Sequence, residues 1–167
     1  VNNGSTFHLV EGNIPFSNLG SGVFGVTDIN MDGSQDFAAI IQENLVWFAN
    51  DGSGQFSTPT IIATDMGDVR SITFGQLDAT SGEELVITRI DVEDVLVFAN
   101  DGSGNYGSAI TVTTESVDPI DAQIGDFDGD GLNDIAVACL NSCDVTWHEN
   151  LGGLNFGPQN SLGTDQI

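Results

Sequence analysis

Lysine is absent from this 167-residue chain, and arginine occurs only at Arg70 and Arg89. Against them stand 25 Asp and Glu, for a formal net charge of −23. Almost nothing is left to neutralise phosphates, which excludes nucleic acid as a partner. The same deficit excludes docking on an anionic membrane surface. No apolar run is long enough to span a bilayer, so membrane insertion is not expected either. No leader is recognisable, and the sequence opens on Val1 rather than Met, which suggests a processed or excised segment. Histidine is scarce, with His8 and His148 alone. No serine or cysteine has an evident base partner, and the chain is not expected to be an enzyme. Cysteine is limited to Cys139 and Cys143, in "CLNSC". The spacing is not C-x-x-C and no second Cys or His pair exists, which disfavours zinc. The two thiols either close a disulfide across a tight hairpin, in an oxidising compartment, or sit reduced in neighbouring strands.

What is present points to a folded chain. Hydrophobic residues make up 40%, with ten Phe, two Trp and 21 Gly. Acid-rich, aromatic-rich and glycine-rich together describe a loop-rich β protein rather than a disordered acidic one. Abundant acid without lysine fits a salty or calcium-rich exterior, hence an extracellular or cell-surface location.

The sequence repeats itself. "WFANDGSGQF" begins at Trp47, "VFANDGSGNY" at Val97 and "WHENLGGLNF" at Trp147, 50 residues apart each time. "FGQLDATSGEELVI" from Phe74 aligns with "IGDFDGDGLNDIAV" from Ile124 at the same spacing. "VTDINMDGSQDFAAI" from Val26 aligns with the latter at 98, so one hairpin differs in length by two residues. Each copy carries short β-branched or apolar runs, such as "LVITRI", "DVLVFAN" and "SAITVTT", separated by turn signals. Asn-Asp-Gly tolerates positive φ and marks a hairpin. No stretch keeps a helical period. Four short antiparallel strands per repeat is the unit of a β-propeller blade. The expected division is 1–20 for the outer strand and linker of a preceding blade, then repeats at 21–67, 68–117 and 118–167.

Within "DFDGDGLND", Asp126, Asp128, Asp130 and Asp134 fall at positions 1, 3, 5 and 9 of one loop. Carboxylates so close repel unless a cation holds them. Calcium takes six to eight hard oxygens in flexible geometry, and a glycine at position 6 permits the sharp curl. The expected ligands are Asp126, Asp128, Asp130, the carbonyl of Leu132 and Asp134. In the first repeat they are Asp28, Asn30, Asp32, the carbonyl of Ser34 and Asp36. An EF-hand shares the opening of this pattern but needs an acid at position 12, which is Ala39 or Val137 here. The competing reading is a set of solvated acidic turns without metal. The second repeat departs from the pattern. It offers Gln76, Asp78, Thr80 and Glu84, with its glycine moved to Gly82. Either a degenerate metal site remains at Asp78, Thr80 and Glu84, or a Thr side chain or an internal hydrogen bond replaces the ion. Two Ca2+ ions are therefore expected, with the third in question.

The motif D-x-[DN]-x-D-G-x-x-D before an apolar strand, recurring with Asn-Asp-Gly-Ser-Gly turns, resembles the FG-GAP/VCBS repeats, the blades of integrin-α-like propellers. The resemblance covers nearly the whole chain. It implies calcium at a rim, bound by loops between the first and second strands of each blade. It also implies an incomplete or assembled propeller, since three blades fall short of the family's closed ring. The second loop departs from the family pattern.

His148 stands where the other copies have Phe48 and Phe98, which suggests a packed blade residue rather than a base. Trp47 and Trp147 could stack on sugars, but their apolar neighbours and shared position favour the blade core. Asn3 opens an N-glycosylation sequon and Asn141 a rarer Asn-Ser-Cys variant. The expected function is non-catalytic: an extracellular module for adhesion or for recognising a protein or glycan. The alternatives are a structural protomer of a fibre or multi-chain assembly, binding further copies of itself, and an accessory glycan-binding domain of a secreted enzyme.

Overall fold

The computed structural model describes residues 19–141 and 145–161, and among them there is no helix. The chain is all-β, built of three four-stranded antiparallel sheets, each a propeller blade. The first sheet runs β1 (Leu19–Thr27), β2 (Asp36–Ile41), β3 (Asn44–Phe48), β4 (Thr60–Ala63). The second runs β5 (Val69–Gly75), β6 (Glu84–Arg89), β7 (Asp94–Phe98), β8 (Ile110–Thr113). The third runs β9 (Pro119–Gly125), β10 (Asp134–Cys139), β11 (Val145–Asn150), β12 (Phe156–Ser161). Each strand pairs with its neighbour in sequence, as short connections favour.

The hairpins explain the uneven repeat length. Ile41 pairs with Asn44 across Gln42 and Glu43, both at positive φ (51° and 62°). Two residues with positive φ form the turn whose twist matches paired strands. In the second blade Arg89 pairs with Asp94, so four residues lie between them. There Arg89 closes the hairpin on Asp94 with two hydrogen bonds, Nε to Oδ1 at 2.8 Å and Nη2 to Oδ2 at 2.5 Å. That fork holds the guanidinium pKa above its ordinary value.

Side chains alternate across each strand, so a blade has two faces to bury. Ala38, Ile40, Leu45 and Trp47 of the first blade meet Leu85, Ile87, Leu96 and Phe98 of the second in one core cluster. The opposite face of the second blade, with Val86, Val95 and Val97, meets Ile135 and Val137 of the third in another. The middle blade is thus buried on both sides, and β7 is buried throughout. The first strands of successive blades also pack together, β1 on β5 and β5 on β9.

Candidate metal loops

The first-to-second strand connection of each blade carries the aspartate motif, so the three loops sit at equivalent ends of successive sheets. In the first and third loops the backbone is left-handed at positions 4 and 6. The residues are Met31 (φ 59°) and Gly33 (φ 91°), then Gly129 (φ 84°) and Gly131 (φ 93°). These reversals curl the chain, so position 1 accepts from amides further round the loop. Asp28 accepts from Asp32 N at 3.0 Å and Gly33 N at 2.9 Å. Asp126 accepts from Gly129 N at 2.7 Å and Gly131 N at 3.1 Å.

The third loop gathers Asp126, Asp128 and Asp130, with one carboxylate oxygen of each within 4.8 Å of the others. In the first loop Asn30 Nδ2 donates to Asp32 at 2.9 Å, and Ser34 N donates to the same carboxylate at 2.8 Å. The Asn30 amide foremost, then the Ser34 amide, hold the Asp32 carboxyl below its ordinary pKa. Leu132 N makes the matching bond to Asp130 at 2.8 Å.

Position 9 is placed differently. Asp36 and Asp134 are fully buried. Asp134 accepts from Phe127 N at 3.0 Å and from Asn150 N at 2.8 Å. Asp36 does the same with Ile29 N at 3.0 Å and Asn50 N at 2.7 Å. These acids clamp the loop to the turn after the third strand. Burial raises the Asp36 pKa, since desolvation disfavours its charged form.

The second loop has no residue at positive φ between Gln76 and Glu83. Gln76 Nε2 donates to the carbonyl oxygens of Asp78 (2.8 Å) and Thr80 (2.5 Å). An amide hydrogen-bonds inward at the position where the other loops carry a carboxylate. Glu84 keeps only the loop side of this clamp, its Oε2 accepting from Leu77 N at 2.6 Å and Asp78 N at 3.2 Å while Oε1 has no partner, and burial raises its pKa.

The donors at the intact loops are all oxygens, as a hard cation requires. Neither arginine stands in for one, since Arg70 pairs with Asp68 and Arg89 with Asp94. The donor set therefore fits hard cations, calcium among them.

Sequence reasoning missed Asn50, Asn100 and Asn150, which open the turns 50 residues apart. Asn100 Nδ2 donates to Ile29 O of the preceding blade at 2.9 Å, and Asn150 Nδ2 to Leu77 O at 2.6 Å. Their recurrence beside the glycines was the available signal.

Cys139 is buried in β10, while Cys143 lies outside the described residues, and with it the question of a disulfide. Asn3 and His8 lie outside them too. Asn141 is exposed and hydrogen-bonds Asp118, but the rest of its sequon is not among the described residues. His148 is buried, with Nδ1 3.4 Å from Gly157 O and Nε2 unpartnered. Trp47 is buried and Trp147 half-buried.

No family model matches this sequence, and neither does any curated protein. Solved structures do. A lectin of Agrocybe aegerita, described as recognising non-reducing terminal N-acetylglucosamine, superposes with a TM-score of 0.65 at 23% identity. The match covers 85% of this chain and 38% of the lectin's. The Photorhabdus luminescens Tc holotoxin pore matches with a TM-score of 0.51 at 20% identity, over 83% of this chain and 7% of the toxin chain. This chain thus spans a minor part of each, and the likeness is one of fold.

Proposed function

We propose that the chain is a non-catalytic, calcium-stabilised recognition module of FG-GAP/VCBS type, working outside the cell. The observation that carries this reading is the pair of curled, oxygen-lined loops on the first and third blades. Asp28, Asn30, Asp32 and Asp36 with the Ser34 carbonyl would hold one ion. Asp126, Asp128, Asp130 and Asp134 with the Leu132 carbonyl would hold the other. Calcium there neutralises clustered charge and fixes the rim, and needs no catalytic partner. Modules of extracellular type bind calcium at roughly 10⁻⁴–10⁻³ M, which suits an exterior rather than a cytosol. Glycan or protein is the ligand class in keeping with the neighbours: a lectin described as recognising a sugar terminus and a component of a toxin assembly share these blades.

The test is calcium titration by calorimetry, followed by glycan-array binding with and without chelator. Two sites are expected in the parent chain, and one each in Asp32→Ala and Asp130→Ala. No calcium binding in the parent, or two sites in both variants, would overturn the site assignment. Array binding that chelation removes is the expected second result. Binding to no glycan would leave protein as the ligand class.

A further inference from the structure

Successive blades lock together through small residues that seat larger ones of the neighbouring blade. Between the first strands, β5 turns Ile72 and Phe74 onto Gly25, where a Cβ would lie 2.9 Å from both. β9 turns Ile124 onto Gly75, where a Cβ would lie 2.8 Å away. At the third strands Trp47 lies over Gly104 of the next blade, where a Cβ would fall 2.5 Å from the indole. One blade on, the smaller Val97 shares a cluster with the larger Leu154. Polar ties point the same way. Asn100 and Asn150 reach the carbonyls of Ile29 and Leu77, and Asn133 Nδ2 donates to Gln76 O at 2.9 Å.

Among the described residues, each half of this contact stands open at one end. The residue at position 2 of the loop is covered in two blades, Ile29 at 0% and Leu77 at 2% exposure, but its third-blade equivalent Phe127 is 47% exposed. A Cβ on Gly125 would touch only the neighbouring Phe127 ring, at 3.5 Å. Trp147 is half-buried beside Phe127, ring centroids 6.4 Å apart. At the other end Phe24 is 66% and Val26 52% exposed, where their equivalents Ile72 and Phe74 meet the preceding blade. Gly54, the equivalent of Gly104, has nothing within 4 Å of its Cβ position. Asn50 donates to Gln35 O of its own blade, as Asn150 does to Asn133 O. Among the described residues it has no counterpart of the Asn150–Leu77 bond.

We propose that these two faces join between copies of this chain, head to tail, repeating the interior contact. Val26 of one copy seats on Gly125 of another, as Ile124 seats on Gly75. Trp147 covers Gly54, as Trp47 covers Gly104. Asn50 donates to the Phe127 carbonyl, and Gln35 to the Asp126 carbonyl. The occupant is a second copy because sizes match at two pairs, Val26 with Gly125 and Trp147 with Gly54. A tryptophan at the tail needs a glycine at the head, and the head carries one. The contact is heterologous, so it closes a ring or extends a filament according to the rotation per copy. At −23 per chain, copies repel over long range, so association rises with salt as the screening length shortens.

The test is molar mass by light scattering in millimolar calcium, at low and high NaCl and over a range of concentration. A multiple of 17.5 kDa that grows with salt is expected. Val26→Asp blocks the head and Gly125→Glu the tail. Each alone is expected to stay at single-chain mass with unchanged circular dichroism, and a mixture of the two to give a two-chain species. Ile61→Asp, an exposed change on the outer strand β4, is the control that keeps the parent's mass. A single 17.5 kDa species under all conditions would overturn the proposal and assign the faces to blades other than those of a second copy. An oligomer indifferent to Val26→Asp and Gly125→Glu, or a mixture that fails to pair, would overturn it as well.

Discussion

Gln76 shows how one residue changes the physics of a loop. Its amide satisfies two carbonyls that no ion then has to hold. Gln76→Ala is expected to cost about 0.5–1.5 kcal/mol, because water can take the donor's place at the exposed Thr80 carbonyl and only the Asp78 carbonyl is part-buried. The loss should be equal in calcium and in chelator, read by urea denaturation. A loss seen only in calcium would mean that the second loop holds an ion. His148 is the other informative residue. Burial lowers its pKa below the ordinary 6.5, and the charge of Glu115 and the Gly157 carbonyl offset this only in part. The unfolded chain then binds the proton more tightly, so stability falls as pH drops below 6.5 and stops falling below the folded pKa. His148→Phe, which restores the residue type of Phe48 and Phe98, is expected to flatten that slope. A slope unchanged in the variant would assign it to other groups. The sequence showed the intact loops clearly, because positions 1, 3, 5 and 6 act locally. It showed that the second loop had changed, but not that Gln76 would turn inward. That depends on the backbone at Ala79 and Ser81, which is not left-handed where Met31 and Gly33, Gly129 and Gly131 are.

At the scale of elements, strand order was legible because each strand pairs with its neighbour and the turns announce themselves in glycine and asparagine. The contact between blades was not, since it joins residues such as Asn150 and Leu77 far apart in sequence. Two pairs of substitutions measure that contact. Gly104 (φ 79°) and Gly54 (φ 87°) carry the same left-handed strain, but only Gly104 faces Trp47. In dilute solution Gly54→Ala should cost about 1–2 kcal/mol from backbone strain alone. Gly104→Ala should cost about 1–3 kcal/mol more from overpacking. Equal losses in thermal denaturation would remove the indole contact from the explanation. Asn150→Ala gives up bonds to Leu77 O and Asn133 O and the one from Gly152 N, all from a fully buried residue. Asn50→Ala lacks the cross-blade bond. The first should be the more destabilising by about 1–3 kcal/mol, and a reversed order would show that the cross-blade bond contributes little.

At the scale of the whole molecule, charge sets what the blades require of their surroundings. With −23 on 167 residues, self-repulsion opposes the compact state. Sodium chloride and calcium both relieve it, by different routes. Screening is non-specific and tracks ionic strength, whereas a bound ion stabilises by RT ln(1 + [Ca2+]/Kd). At tenfold over Kd that is about 1.4 kcal/mol per site. The parent chain should gain two such increments beyond what NaCl of equal ionic strength gives. Asp32→Ala or Asp130→Ala should gain one, and the double variant none. Melting in calcium, in NaCl matched for ionic strength and in chelator separates the two routes. If NaCl reproduced the whole gain in the parent chain, the aspartates would be solvated turns, and the rim would hold its shape by Asp36, Glu84 and Asp134 clamping the backbone.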